Sequence, residues 1–322
     1  MCSRTSLPKN GMLANRGGVH IRSFPLTINM GPWFEPWLGN QSNLGLQYCV
    51  LNMNSQMIQP HNVKAAATWD SGGLDYDRVS QTISDAIEHC VIRLAPEPGE
   101  RILDVATGTG WAARGVAARG ANVIGIDLGG NLIEAAKARA AEARLKIDFK
   151  VDDAEALSFE DHRFDAVIST FGVMFVSKPE AAAAELARIC KKGGRVGLTT
   201  WPADGTIAGV FKVMKPYMPA PATPPPPSPF EWGSKERVRE LLGSGFNLRF
   251  ETGTTVLRMP SGLAVWELFV KGYGPTKALA AALDTEHRES LKRDFIAYHD
   301  GFRTELGVAM PRDYLVTIGT RK

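Results

Sequence analysis

From Val63 onward the apolar and polar positions follow two alternating rhythms. Val79, Ile83, Ala86, Ile87 and Val91 recur at three- and four-residue intervals, which predicts one continuous helix closed by Pro96 and Gly99. Short β-branched runs then take turns with helical ones. Strands are predicted at Arg101–Ala106, Asn122–Asp127, Lys146–Val151, Phe164–Ser169 and Arg195–Trp201. Helices are predicted after Gly110, over Leu132–Arg144 and over Glu180–Lys191. Strand and helix in strict alternation define an α/β fold: a doubly wound, mostly parallel sheet covered on both faces.

The rhythm breaks after Trp201. A short helical run, Ile207–Tyr217, leads into MPAPATPPPPSPFEW, which holds seven of the chain's 20 prolines and is expected to be extended or polyproline II. A helix capped by Ser234 follows, then a strand pair within Asn247–Met259. Helices over Ser261–Lys271 and around Asp284–Glu305 precede a last strand, Tyr314–Thr320.

The first 62 residues have neither period and contain eight of the 11 asparagines. They are expected to be a disordered tail, an organellar presequence, or a stretch upstream of a true start at Met53 or Met57. The expected organisation is then 1–62 outside the domain, 63–201 as ligand-binding core, 202–233 as Pro-rich lid insertion and 234–322 as sheet completion with cap helices. The expected location is cytoplasmic, or organellar if the first segment is a presequence.

Charge adds one restriction. Residues 1–62 carry four of the 37 basic groups and one of the 34 acidic groups, which leaves 33 of each in the remainder. No basic face for a nucleic acid is called for. The four cysteines lie far apart without a Cys/His cluster, so no metal site or disulfide framework is expected. No run approaches the roughly 18 apolar residues of a membrane span.

Candidate chemistry centres on LDVATGTGWAARG, Leu103 to Gly115, where GTGWAA satisfies the dinucleotide pattern G-x-G-x-x-G/A. In a doubly wound sheet this loop occupies the ligand edge whatever the ligand is. Asp104, four residues before Gly108, argues against a pyrophosphate and for a ligand with a positive group. Asp127 ends the next strand, where a carboxylate can accept from a ribose diol, and Asp153 ends the third, where it can accept from an adenine amino group. Together they fit a phosphate-free adenosine with an amino-bearing tail.

Residues 64–201 resemble the class I S-adenosylmethionine-dependent methyltransferases, on the branch of the ubiquinone and menaquinone C-methyltransferases and many small-molecule enzymes. The resemblance is carried by ILDVATGTG, VIGIDLGGNLIEAAKARA, DAEALSF, RFDAVISTFGVMF and ARICKKGGRVGLTTW. Ala106, Thr107, Ser158 and Lys192 depart from the commoner Gly, Cys, Pro and Pro. It implies a seven-stranded Rossmann-like sheet with helical lid insertions, and S-adenosylmethionine as cofactor. Residue by residue, it implies that Asp104 orients the cofactor's amino group and that the backbone at Ala106, Gly108 and Gly110 lines its methionine part. Asp127 takes the ribose, Leu128 packs on adenine, and Asp153 and Ala154 recognise adenine. Thr170 and Phe171 lie beside the sulfonium, and Tyr76 closes over the cofactor.

The expected partner is a small organic or lipid-like acceptor. Its pocket is sought among Phe211, Met214, Tyr217, Met218, Phe230, Trp232, Trp266, Phe269 and Tyr273, which equally could form a satellite core. His89, His162, His287 and His299 are the candidate bases, and none is assigned; His162 falls at the wrong end of the sheet, and His287 and His299 read as exposed helical residues. Two other classes stay open: an NAD(P)-dependent oxidoreductase, from GTGWAA and Asp127, and a non-catalytic cofactor-binding partner subunit.

Overall fold

The computed structural model describes residues 58–220 and 225–322. Most of the first segment, including both candidate start sites, and the centre of the proline run lie outside the described residues.

The parallel half of the sheet is built from β1 (Arg101–Val105), β2 (Asn122–Asp127), β3 (Asp148–Val151), β4 (Phe164–Thr170) and β5 (Cys190–Thr200). Two long strands, β6 (Phe246–Met259) and β8 (Gly307–Arg321), complete it, with the two-residue β7 (Arg303–Thr304) paired to β8 as a hairpin. The order is β3-β2-β1-β4-β5-β8-β6, and β8 runs antiparallel to both of its neighbours on that path. Ile102, Leu103 and Val105 of β1 and Ala166, Val167 and Ile168 of β4 have no solvent exposure. Strands covered on both faces need apolar residues at consecutive positions, which is why these runs do not alternate. Order reverses between β1 and β4, so a crevice opens at their carboxyl ends.

The helices around this core are α1 (Val63–Asp70), α2 (Tyr76–Gln81), α3 (Ser84–Leu94), α4 (Trp111–Ala117), α5 (Gly130–Glu142), α6 (Pro179–Ile189), α7 (Thr206–Met214), α8 (Lys235–Leu242), α9 (Gly262–Gly272), α10 (Gly274–Ala282) and α11 (Thr285–Asp300). α3 packs on β5 and β4, α4 on β2 and β1, α5 on β3 and α6 on β5. A second apolar core joins α7, α9, α10 and α11 to the far halves of β6 and β8, through Met214, Trp266, Phe269, Leu291, Phe295 and Met310.

Several expectations change here for physical reasons. The helix read from Val79 to Val91 is broken at Thr82 and Ile83. Arg312 of β8, 2% exposed, donates to the carbonyl oxygen and the hydroxyl of Thr82, and Asp85 accepts from the Ala86 N–H. The carbonyl that would continue the helix is thereby taken by a distant strand. The expected strand pair at 247–259 is one strand, because β8 pairs with it continuously from Phe246↔Arg321 to Met259↔Val308. The last long helix stops at Asp300, where the β7–β8 hairpin begins, and the proline run ends in a 3-10 turn, Pro229–Gly233, closed by a capping box from Ser228 and Glu231.

Candidate active site

The site grows from the end of β1. Past Val105 the chain enters left-handed backbone at Ala106 (φ 53°), Gly108 (φ 55°) and Gly110 (φ 81°) before α4 begins at Trp111. A side chain at Gly108 would meet the Tyr76 ring at 3.1 Å, and one at Gly110 the Phe149 ring at 3.0 Å. The two glycines thus serve different ends: Gly108 admits a ring above the loop, and Gly110 lets α4 approach the sheet.

Asp127 fixes this loop from the neighbouring strand. Its Oδ2 accepts from the Gly108 N–H at 2.9 Å and its Oδ1 from the Gly129 N–H at 3.0 Å. Burial raises its proton affinity above that of an ordinary aspartate, against the pull of these amides. Asp153, at the end of β3, accepts through Oδ2 from the Gln59 N–H at 3.0 Å and from Asn62 Nδ2 at 2.9 Å. Its Oδ1 accepts from the Glu155 N–H at 2.9 Å. Glu155 in turn bonds His61 Nε2 at 2.6 Å. Residues 59–62, assigned from sequence to the segment outside the domain, are therefore fastened to the ligand edge.

These groups surround a cleft of about 920 Å³, counting the space open to solvent at its mouth. Nine of the eleven residues expected at a cofactor line it: Tyr76, Ala106, Gly108, Asp127, Leu128, Asp153, Ala154, Thr170 and Phe171. Phe171 holds left-handed backbone (φ 58°) and stacks on Trp201 at 3.9 Å between ring centroids. Burial keeps the Tyr76 phenol protonated well above its ordinary range.

Asp104 and Gly110 stand outside this lining. Asp104 is 1% exposed and lies behind the loop, where Oδ2 accepts from the Thr107 hydroxyl at 2.6 Å and the Ala113 N–H at 2.9 Å. Its Oδ1 has no partner, and burial pushes the carboxyl up to about 7. The charge argument first made for Asp104 passes to the four carboxylates that do line the cleft, Asp127, Asp152, Asp153 and Glu155. No lysine, arginine or histidine joins them among the described lining residues.

The raised carboxyl of Asp104 has a measurable sign. The folded protein holds a proton that the unfolded chain releases near 3.8, so the stability contribution is full below about pH 4 and is lost as pH rises through about 7. Asp104→Asn keeps one oxygen for Thr107 and Ala113 without titrating. It is expected to flatten the pH dependence by up to about 1.4 kcal/mol per pH unit in that window, read by urea unfolding from pH 4.5 to 8.

None of the nine residues sought for an acceptor pocket lines the cleft. Met214, Trp266 and Phe269 fill the second core, and Trp232 the main one, because α7 and α9 to α11 need an apolar face of their own to pack on the sheet. The remaining wall comes from the amino-terminal helices and the turn after β4: Ala65, Trp69, Ser80, Ile83, Ile87 and Phe175. Sequence reasoning missed Ala65, Trp69, Ser80, Ile83 and Ile87 because they lie in the core or on helices without a motif, and Phe175 because it lies past the strand end within its motif.

The four histidines considered as bases lie elsewhere. His299 is fully buried, contrary to its reading as exposed, and bonds the Phe295 carbonyl at 2.8 Å. His287 pairs with Asp284 at its own helix start, His162 with the Cys190 carbonyl, and His89 with the Tyr314 hydroxyl. Among the described residues no group of His, Cys, Asp or Glu is arranged to hold a metal ion, and no helix is long and apolar enough to cross a membrane.

Residues 103–198 match the family of the methyltransferase domain, the stretch from β1 to β5 that carries the glycine loop and the strand-end aspartates. The chain thus carries a methyltransferase domain. An uncharacterised protein of Mycobacterium tuberculosis is 37% identical over 213 residues, which span 65% of this chain and 77% of that relative. The demethylmenaquinone methyltransferase of Renibacterium salmoninarum is 36% identical over 155 residues, 46% of this chain and 64% of its own. A crystal structure from Bacillus halodurans C-125, assigned as a methyltransferase, has the same fold at a TM-score of 0.50 and 22% identity, covering 74% of this chain and 99% of the other.

Proposed function

We propose that this chain transfers the methyl group of S-adenosylmethionine to a small organic or lipid-like acceptor. One observation carries the choice of cofactor: the cleft is lined by four carboxylates and by no lysine, arginine or histidine among the described residues. A dinucleotide's pyrophosphate would find no ammonium or guanidinium on that lining to neutralise it, whereas a phosphate-free adenosine with a sulfonium and an ammonium needs none. The left-handed glycine loop under Tyr76 agrees with such a ligand.

In this reading Asp127 holds the ribose hydroxyls, Asp153 and Ala154 the adenine edge, and Leu128 its face. Ala106 and Gly108 run along the methionine part, with Thr170 and Phe171 beside the sulfur. When bound, the cofactor supplies a methyl group already activated by its sulfonium. The chain's task is alignment and exclusion of water. Trp69, Ile83, Ile87 and Phe175 form an apolar wall for that purpose, and positioning of this kind is worth roughly 7 to 11 kcal/mol in well-oriented reactions.

Calorimetry with S-adenosylhomocysteine and with NAD in parallel tests the assignment. S-adenosylhomocysteine is expected to bind and NAD not to; NAD binding without the other would overturn it. Near pH 6.5 the ligand's positive charge is expected to favour the ionised form of Asp104 behind the loop, so binding releases a larger fraction of a proton in the wild type than in Asp104→Asn, where Asp127 remains to contribute. Titrations in buffers of different ionisation enthalpy read that proton. Turnover against an acceptor panel separates an enzyme from a binding subunit.

A further inference from the structure

We propose that Asp77 is a positioning residue that holds Tyr76 over the glycine loop, a role that rests on reading the cleft as the cofactor site. Asp77 follows Tyr76 on α2 and joins three elements of the site. Its Oδ1 accepts from the Thr109 hydroxyl at 2.9 Å and from the Trp111 indole N–H at 2.8 Å. Arg114 Nη2 stands 3.6 Å from the same oxygen, and Arg139 Nε of α5 lies 3.0 Å from Oδ2. The glycine loop, the first turn of α4 and the last turn of α5 thus converge on one carboxylate.

The consequence for Tyr76 is geometric. Its ring edge occupies the space that a side chain at Gly108 would need, so a small rotation of α2 would lift the ring from the loop or drive it into the backbone. Contacts on the outer side bind α2 to other parts of the molecule: α9 packs on it, Tyr273 stacks on Tyr76 at 6.5 Å, and Arg312 grips Thr82 at its end. Asp77 is the tie to the loop itself. Because Tyr76 and Asp77 are adjacent, fixing the carboxylate fixes the helical turn that carries the ring. Its two hydrogen bonds, from Thr109 and Trp111, go to a charged acceptor and are roughly twice as strong as neutral ones, and the guanidinium groups of Arg114 and Arg139 add ion pairs.

The test compares Asp77→Ala and Asp77→Asn with the wild type for S-adenosylhomocysteine affinity, with Tyr76 present and in a Tyr76→Ala background. Asp77→Ala is expected to weaken binding roughly tenfold to a hundredfold, and Asp77→Asn, which keeps an oxygen for Thr109 and Trp111, by less than about fivefold. Once Tyr76 is alanine, Asp77→Ala should add nothing, since the residue acts through the ring. Losses of equal size in both backgrounds would refute the positioning role.

Amide hydrogen exchange of the free protein gives a reading that needs no ligand. Residues 76–81 and 107–111 are expected to exchange faster in Asp77→Ala while β4 and β5 stay as protected as in the wild type. Unchanged exchange in those two segments would overturn the proposal. A wild type that binds no S-adenosylhomocysteine, with the exchange difference present, would reject the reading of the cleft and keep the tie between α2 and the loop.

Discussion

Replacing Asp127 by alanine is expected to lower the affinity for S-adenosylhomocysteine at least about a hundredfold while the protein stays folded. The carboxylate does two things at once. It accepts the N–H groups of Gly108 and Gly129, which fixes the glycine loop against the turn after β2, and it faces the cleft where the ribose hydroxyls would bind. Hydrogen bonds to a charged group are worth about 1.5 to 3 kcal/mol each, and two lost to a ligand amount to a hundredfold or more. Asp127→Asn keeps one oxygen but turns an amide N–H₂ toward one of the two donors, so an intermediate loss, about tenfold, is expected. Calorimetry reads both variants, with circular dichroism as the check on folding. Wild-type affinity in Asp127→Ala would remove the ribose from this strand end.

The second large effect concerns stability. Trp232 was sought from sequence at an acceptor pocket, yet it is 1% exposed in the main core, and its carbonyl accepts from the Thr200 hydroxyl at 2.8 Å. Trp232→Ala is expected to destabilise the fold by about 3 to 5 kcal/mol, the cost of emptying a buried aromatic site. Trp232→Phe leaves most of the volume filled and removes an indole N–H that has no partner, so its cost should stay below about 2 kcal/mol. Urea midpoints measure both. A Trp232→Ala protein of wild-type stability with only a raised KM for its acceptor would return this side chain to the cleft.

The two variants divide the chain into parts that sequence reading handled differently. Asp127 was legible because strand ends carry a fixed meaning in a doubly wound sheet: once the alternation of β-branched and helical runs is recognised, a carboxylate at the end of β2 has one place to be. The same holds for Asp153, Thr170 and Phe171 at the ends of β3 and β4. Trp232 was not legible, because an aromatic in a proline-rich insertion has no period to say which side it faces. Asp104 stood between the two. It stands beside the loop, at the strand end that the spacing predicts, but its burial, which pushes its carboxyl up to about 7 and sets it outside the cleft lining, depends on what packs over it.

The sequence by itself determined the order of strands and helices from β1 to β5, the glycine loop and the aspartates at the strand ends. Those features are written in short-range periodicity and in residue types that a local conformation requires. Tertiary structure alone decided the rest. Thr82 ends α2 because Arg312 reaches it from a strand 230 positions away, and that corner sets Ile83 and Ile87 into the cleft wall. Gln59 and Asn62 belong to the site because Asp153 accepts from both. Asp77 matters because Thr109, Trp111, Arg114 and Arg139 meet on it. Hydrogen bonds between groups far apart in the chain leave no period in the sequence. They exist only once the sheet has brought the two ends together.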